Sequence, residues 1–282
     1  MLVPCLSGEF ELPEPGGMAL SDRQHLALRS SSGPTPALAA HCGQLARCMV
    51  CNVRSRDGLC GALFRDVGRL TANLHSTFAS LPQSNKFARR RRTIYRAGEP
   101  SNTVAIIHDG WASAYIQLPK GNRQILSFLL PGDITSAAAV FEDRSEVTIE
   151  AVTDVEYCVI DKHQLSEVLQ AEPEVFNTFS KLWARRKNEI ENLAADLGHR
   201  TAEERIARLI LALYGRHAER DMIREGWFSF PLRLQHIADA TGQTVVHVSR
   251  VLGSMRRQGV IELEERSLAV RDLAELRNIG GN

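Results

Sequence analysis

The chain has 282 residues, room for two domains, with 34 Lys plus Arg against 33 Asp plus Glu. A balance this even argues against a partner recognised by bulk charge, and no apolar run approaches the ~18 residues of a membrane span. With no signal-peptide core either, a reducing cytoplasm is expected, where cysteines serve as metal ligands or redox sensors rather than disulfides.

Residues 1–40 read as a disordered tail. SGEFELPEPGG and SSSGPTPA are rich in Pro, Gly and Ser and show little periodicity. Met18 is an alternative start to Met1, and Cys5 has no evident role. The segment HCGQLARCMVCNVRSRDGLCGAL then carries Cys42, Cys48, Cys51 and Cys60. Cys48 and Cys51 form a C-x-x-C pair able to reach one metal. Soft thiolates of this kind select zinc, copper(I) or iron–sulfur clusters. A zinc site would draw a further ligand from His41 or Cys42, and a redox dithiol shares the same pair.

Residues 63–82 show the spacing of a short amphipathic helix, with Leu63, Val67, Leu70 and Leu74 on one side. The arginine run Arg89–Arg92 leads into strands. TIYRAGEP, TVAIIHDGWASAYIQ, RQILSFLLPGD, EVTIEAVTD and VEYCVID are short, β-branched and divided by AGEP, HDG, PKGN and PGD turns. That spacing predicts a β-barrel or jelly-roll-like sandwich. Cys158 lies in the last strand.

A long helix is predicted from Pro173. Phe176, Phe179, Trp183, Arg186, Ile190, Leu193 and Leu197 alternate at spacings of three and four, a heptad seam that predicts a homodimer. Arg186 is the charged position of that seam. In a parallel pair it would approach its own copy, a like-charge pairing that is unfavourable unless Glu189 or another carboxylate answers it. TAEERIARLILALYGRHAER predicts a further helix, opened by a Thr201/Glu204 capping box, with Ile206, Leu209, Ile210 and Leu213 as its apolar face. FSFPLR reads as a short strand.

Leu232 to Gln258 reads as helix, turn, helix. Ile237 and Ala238 face inward, Gly242 makes the turn, and Thr244 caps the second helix. Val245, Val248, Val251 and Leu252 give that helix an apolar back. His247, Arg250, Ser254 and Arg257 give it a hydrogen-bonding, cationic front, as a helix in a major groove requires. Residues 259–263 and SLAVRD read as a wing, followed by a short helix. The fold class is therefore α+β: a sensory β-domain, a long dimerisation helix and a winged helix-turn-helix. The expected division is 1–40, 41–170, 171–198 and 199–282. No nucleophile–base constellation, phosphate loop or dinucleotide fingerprint points to an enzyme.

This order resembles the cyclic-AMP receptor protein/FNR superfamily of transcription regulators. PGD at 131–133, TAEERIARLI at 201–210 and VSRVLGSMRRQGVI at 248–261 carry the resemblance. It implies a cyclic-nucleotide-binding-like β-roll, with a palindromic double-stranded DNA site, RNA polymerase and a second copy of the chain as partners. Within the superfamily the cysteines are similar to those of the FNR-type, oxygen-responsive activators. The resemblance implies a [4Fe–4S] cluster on Cys48, Cys51, Cys60 and Cys158, with Cys42 as a competing ligand because the first group is spaced more widely than usual. Oxygen and nitric oxide are both candidate signals. The family commonly reads bases with Glu, Ser or Gly, and Arg; Ser249 and Arg250 match, while Val246 stands in the glutamate's place. Thr244, Val246, His247, Ser249, Arg250 and Arg257 are the candidate DNA contacts. A cyclic-nucleotide receptor of the same fold would need Asp133 for the ribose and Arg144-Ser145 for the phosphate, yet Glu146 follows directly and would repel a phosphate. A zinc or thiol redox protein is the reading from a different class.

Overall fold

The computed structural model describes residues 83–135 and 140–281. The expected tail, Cys42, Cys48, Cys51, Cys60 and the helix over 63–82 lie outside them. Among the described residues, β1 (Gln83–Ala88), β7 (Val155–Asp161) and β3 (Thr103–Asp109) form one antiparallel sheet in that order. A second sheet runs β2 (Thr93–Tyr95), β6 (Thr148–Ala151), β4 (Ala112–Gln117), β5 (Arg123–Leu129). The five expected strand segments are all present. β1 is an addition, since QSNKFA has no β-branched residue; its strand depends on the ladder that β7 offers, with Asn85 opposite Cys158.

The first sheet is covered on both faces, which explains why its strands read as apolar runs instead of alternating. Ala105, Ile107, Val155, Tyr157 and Val159 face the second sheet and meet Ala114, Leu129 and Ile149. Val104, Ile106, Cys158 and Ile160 point the other way, onto α1 (Lys162–Ala171) and the start of α2 (Pro173–His199). The sequence did not announce α1. Only Leu165 and Leu169 of it are buried, too few for a periodic signal, but the Asp161 carboxylate caps it by accepting from the His163 and Gln164 N–H groups. At the β3–β4 turn Gly110 has φ +82°, and a Cβ there would lie 2.0 Å from the Asp154 carbonyl oxygen, so only glycine fits.

The C-terminal part is built on α3 (Ala202–Glu219), whose Thr201/Glu204 capping box forms as expected. Ile206, Ile210 and Leu213 are buried, and Leu209 is half-buried. A three-stranded sheet follows, in the order β8 (Trp227–Ser229), β10 (Ser267–Val270), β9 (Ile261–Leu263), of which β9 and β10 make the wing. α4 (Leu234–Thr241) and α5 (Val245–Arg257) lie between them, and α6 (Leu273–Ile279) closes the chain. The core of this part is not separate. Trp111, Ile125, Phe128, Leu130 and Val152 of the β-roll join Ile210, Phe228, Ile237 and Met255 in one buried cluster. Each such side chain, fully buried, contributes about 1.5–3 kcal/mol relative to exposure. No helix among the described residues is long and apolar enough to cross a membrane.

Along α2 the expected seam divides. Phe179 is only 3% exposed and packs into its own β-roll cluster with Leu165 and Val175. Its place in a dimer seam is therefore corrected: its own subunit covers it. Trp183 (47%) and Ile190 (40%) are exposed, with Leu193 and Leu197 half-buried on the same helix. Arg186 donates to Glu189 at 2.8 Å, the answering carboxylate that the sequence called for.

Candidate nucleic-acid interface

Gly242 ends α4 with φ +64°, and a Cβ added to it would come 3.1 Å from Leu197 Cδ2, so the turn packs against the last turn of α2. Thr244 then caps α5, its hydroxyl oxygen accepting from the His247 N–H at 3.2 Å. Val248, Val251, Leu252 and Met255 form the buried back of α5. Val245, expected there, lies at the rim with 36% exposure. It is the first residue of the helix, so no further turn covers it. Met255 takes an inner place that the apolar spacing had not assigned to it.

The front is open. Thr244, Val246, His247, Ser249, Arg250 and Arg257 are all exposed, and Ser254 is half-buried. Val246, at 61%, does not pack inward beside Val245. Among the described residues no carboxylate pairs with Arg250, Arg256 or Arg257, so their charge is available to a ligand. One helix thus presents a valine methyl pair, an imidazole, a hydroxyl and a planar guanidinium toward solvent over an apolar back. That combination can hydrogen-bond base edges and neutralise phosphates.

Two polar clusters hold this unit on the β-roll. Arg123 of β5 donates to Asp239 of α4 at 2.6 Å and to Glu150 of β6 at 3.2 Å, and the Gln124 side chain donates to the Ala240 carbonyl at 3.0 Å. The second cluster is deeper. Asp133 accepts from Arg216, from Arg220 at 2.9 Å and from the Leu130 N–H at 2.6 Å. Burial alone would raise the Asp133 pKa, but Arg216, Arg220 and Arg186 outweigh it and hold the carboxyl below its usual range. Beside it His217 is buried, stacks 5.5 Å from Trp111, and has its pKa pushed down to about 4, first by burial and then by Arg216 and Arg220. Sequence reasoning missed this cluster. Arg216 and Arg220 stand four apart on one helix face, a visible signal, but their partner is more than eighty residues away.

These bonds also bear on a nucleotide ligand. A cavity of about 490 Å3 lies between the 132–135 corner and α2, lined by Glu142, Glu146, Trp183 and Arg186 among others. Asp133 is engaged with two arginines. Arg144 donates to the Gly98 carbonyl and the Ser145 hydroxyl to the Val147 carbonyl, and neither lines the cavity. Of the residues expected to hold a cyclic nucleotide, Asp133 lines this cavity, and Arg144 and Ser145 do not.

Cys158 is the one cysteine within the described residues. It is buried on β7, among Val104, Ile106, Ile160 and Leu165. No group of three or more His, Cys, Asp or Glu among the described residues could hold a metal ion.

Residues 86–172 match the model of the cyclic nucleotide-binding domain, and residues 204–279 that of the Crp-like helix-turn-helix domain. The chain is 30% identical to the transcriptional activator protein FnrL of Cereibacter sphaeroides, over 68% of this chain and 78% of that protein. This chain belongs to the Crp/Fnr family. It is a DNA-binding transcription regulator with the fold of that family, and not an enzyme. A probable transcriptional activator of Rhizobium leguminosarum bv. viciae is 29% identical over 84% of this chain and 94% of its own length. Among solved structures, FixK2 from Bradyrhizobium japonicum superposes with a TM-score of 0.64 at 25% identity, covering 71% of this chain and 98% of FixK2.

Proposed function

We propose that this Crp/Fnr protein is an FNR-type regulator: a homodimer whose association and binding to a palindromic DNA site respond to oxygen or nitric oxide through a [4Fe–4S] cluster on Cys48, Cys51, Cys60 and Cys158. The observation that carries the reading is the placing of Cys158. β7 lies between β1 and β3, with Asn85 of β1 opposite Cys158 on one side and Ile106 of β3 on the other. β1, the first described strand, thus lies beside the one distant cysteine. Cys158 also shares an apolar cluster with Val175 and Phe179 at the start of α2. A thiolate there would be shielded from water by Val104, Ile106 and Leu165, which suits a soft, water-sensitive group. When bound, such a cluster supplies an oxidant-labile tie between the cysteine segment and the β-roll.

Two further facts support the reading. The match to the Rhizobium leguminosarum protein spans 84% of this chain, a stretch that cannot be placed on 282 residues without including 48–60. Relatives named for anaerobic regulation also occur, such as the anaerobic regulatory protein of Haemophilus influenzae at 26% identity over 71% of this chain.

In this account 1–40 is a tail, 41–170 the sensor, 171–198 the dimer helix and 199–282 the DNA reader. Trp183, Ile190, Leu193 and Leu197 are the side chains of α2 that meet a second copy. Arg186, neutralised by Glu189, sits between them. Arg250 donates to a guanine O6 and N7, Val246 touches a thymine methyl, and the bound dimer recruits RNA polymerase. Anaerobically purified protein should show a broad visible absorption that bleaches in air and contain about four iron and four sulfide per chain. A colourless protein holding zinc would replace this reading with the zinc one.

A further inference from the structure

The arginine run at 89–92 is absorbed by none of these roles. It forms the β1–β2 turn, and all four arginines are exposed. Arg91 sits at φ +64° in the left-handed region, an unusual conformation for a long side chain, which fixes the direction of the turn. The backbone is held firmly. Arg90 N–H donates to the Asp154 carboxylate at 2.8 Å, and Arg91 N–H to the Ala151 carbonyl at 2.7 Å. The side chains are not held: among the described residues none of the four guanidinium groups has an ion-pair partner. Cations crowded on a rigid turn repel one another, and an anion that answers them relieves the repulsion.

The place of the turn says which anion. Thr93, next to the run, pairs with Glu150 on β6. Glu150 holds Arg123, and Arg123 holds Asp239 on α4, the first helix of the helix-turn-helix. His236 in the first turn of α4 has its pKa pushed down to about 4, by burial first and then by Arg123, Arg233 and Arg91. Arg233, at the start of α4, is itself exposed. In a helix-turn-helix the first helix crosses the DNA backbone while the second enters the groove. A duplex seated on α5 therefore passes the start of α4, and the bonded series from Thr93 through Glu150 and Arg123 to Asp239 joins that helix to the arginine turn.

We propose that the arginine turn 89–92, extended by Arg233, is a second DNA contact that grips the phosphates flanking the half-site without reading their sequence. The recognition helix gives the base code, and the turn adds affinity that scales with duplex length.

The test compares the triple variant Arg89→Ser, Arg91→Asn, Arg92→Ser with the unaltered protein. Asparagine is chosen because it tolerates the left-handed region. Binding is measured on a short duplex ending with the two half-sites and on one extended by about ten base pairs, one helical turn, at each end. The expected result is a loss of about tenfold or more on the extended duplex and less than about threefold on the short one. The slope of log K against log salt on the extended duplex should become shallower by about 0.9 for each phosphate that the variant no longer neutralises. Equal losses on both duplexes, or none on either, would overturn the proposal. So would unchanged DNA binding with abolished transcription by purified RNA polymerase, since the turn would then meet an acidic protein surface. If the unaltered protein fails on the short duplex, the fault lies with the half-site reading and not with the turn.

Discussion

Replacing Asp133 by asparagine would test whether the β-roll and the DNA-binding part are one cooperative body. The Asp133 side chain is 12% exposed, that of Arg216 11% and that of Arg220 5%, so the three charges are largely withdrawn from water. Removing the anion leaves two buried guanidinium groups facing one amide. Breaking a buried pair by removing one partner costs about 3–5 kcal/mol, because the remaining charge is uncompensated. With a urea m-value near the upper end of about 1–3 kcal/mol/M, the unfolding midpoint should fall by about 1 M or more. The pH dependence has a definite sign. The folded pKa of Asp133 is depressed, so its stabilisation is present above the unfolded carboxyl value, near 4, and is lost as the pH falls through the folded value. The gap between parent and variant should thus be constant from neutral pH to about 4 and close below it. Adding Arg216→Met to Asp133→Asn should recover part of the loss by removing one cation that faced the carboxylate. Urea titrations followed by tryptophan fluorescence would read all three proteins. A gap below about 1 kcal/mol, the size of a surface pair, or a gap unchanged in acid, would refute the reasoning.

Other substitutions test the remaining parts. Cys48→Ser, Cys51→Ser, Cys60→Ser and Cys158→Ser should each lose iron by elemental analysis, whereas Cys5→Ser and Cys42→Ser should retain it. Ile190→Glu should shift the protein toward monomer in sedimentation, and Arg186→Leu toward dimer even in air. Thr244→Ala removes the cap of the recognition helix and should cost about 0.5–2 kcal/mol in denaturant titration. Arg250→Ala should lose about 1–3 kcal/mol of discrimination at one guanine in a selection from random sequences, and a uniform loss on all sequences would make it a phosphate contact. Val246→Glu should restore a preference for cytosine at the position where glutamate reads in the family.

Much of the fold was legible because local chemistry was consistent with it. Gly242, Thr244 and the Thr201/Glu204 box mark turns and caps through their own backbone requirements, and each does what its residue type predicts. β1 and α1 were not legible. β1 has no propensity of its own and borrows its order from β7, and α1 buries only two leucines. The heptad spacing of α2 was real, but spacing cannot say what covers each position. Phe179 keeps the rhythm and is taken by the β-roll, while Ile190, on the same rhythm, is left exposed. The arginine partners of Asp133 escaped for a similar reason: a long-range ion cluster leaves no periodic trace. Val245 was misplaced because a helix's first residue has no preceding turn to bury it.

The central claim is that the four thiolates govern DNA binding. Fluorescence anisotropy of a labelled palindromic duplex, recorded with anaerobically purified protein before and after exposure to air, tests it most directly. Iron content and sedimentation would be measured on the same samples. The account predicts tight binding by an iron-containing dimer, at least about tenfold weaker binding after air with loss of iron, and weak binding in both states for Cys158→Ser. Equal affinity before and after air, with Cys158→Ser behaving as the parent, would contradict it.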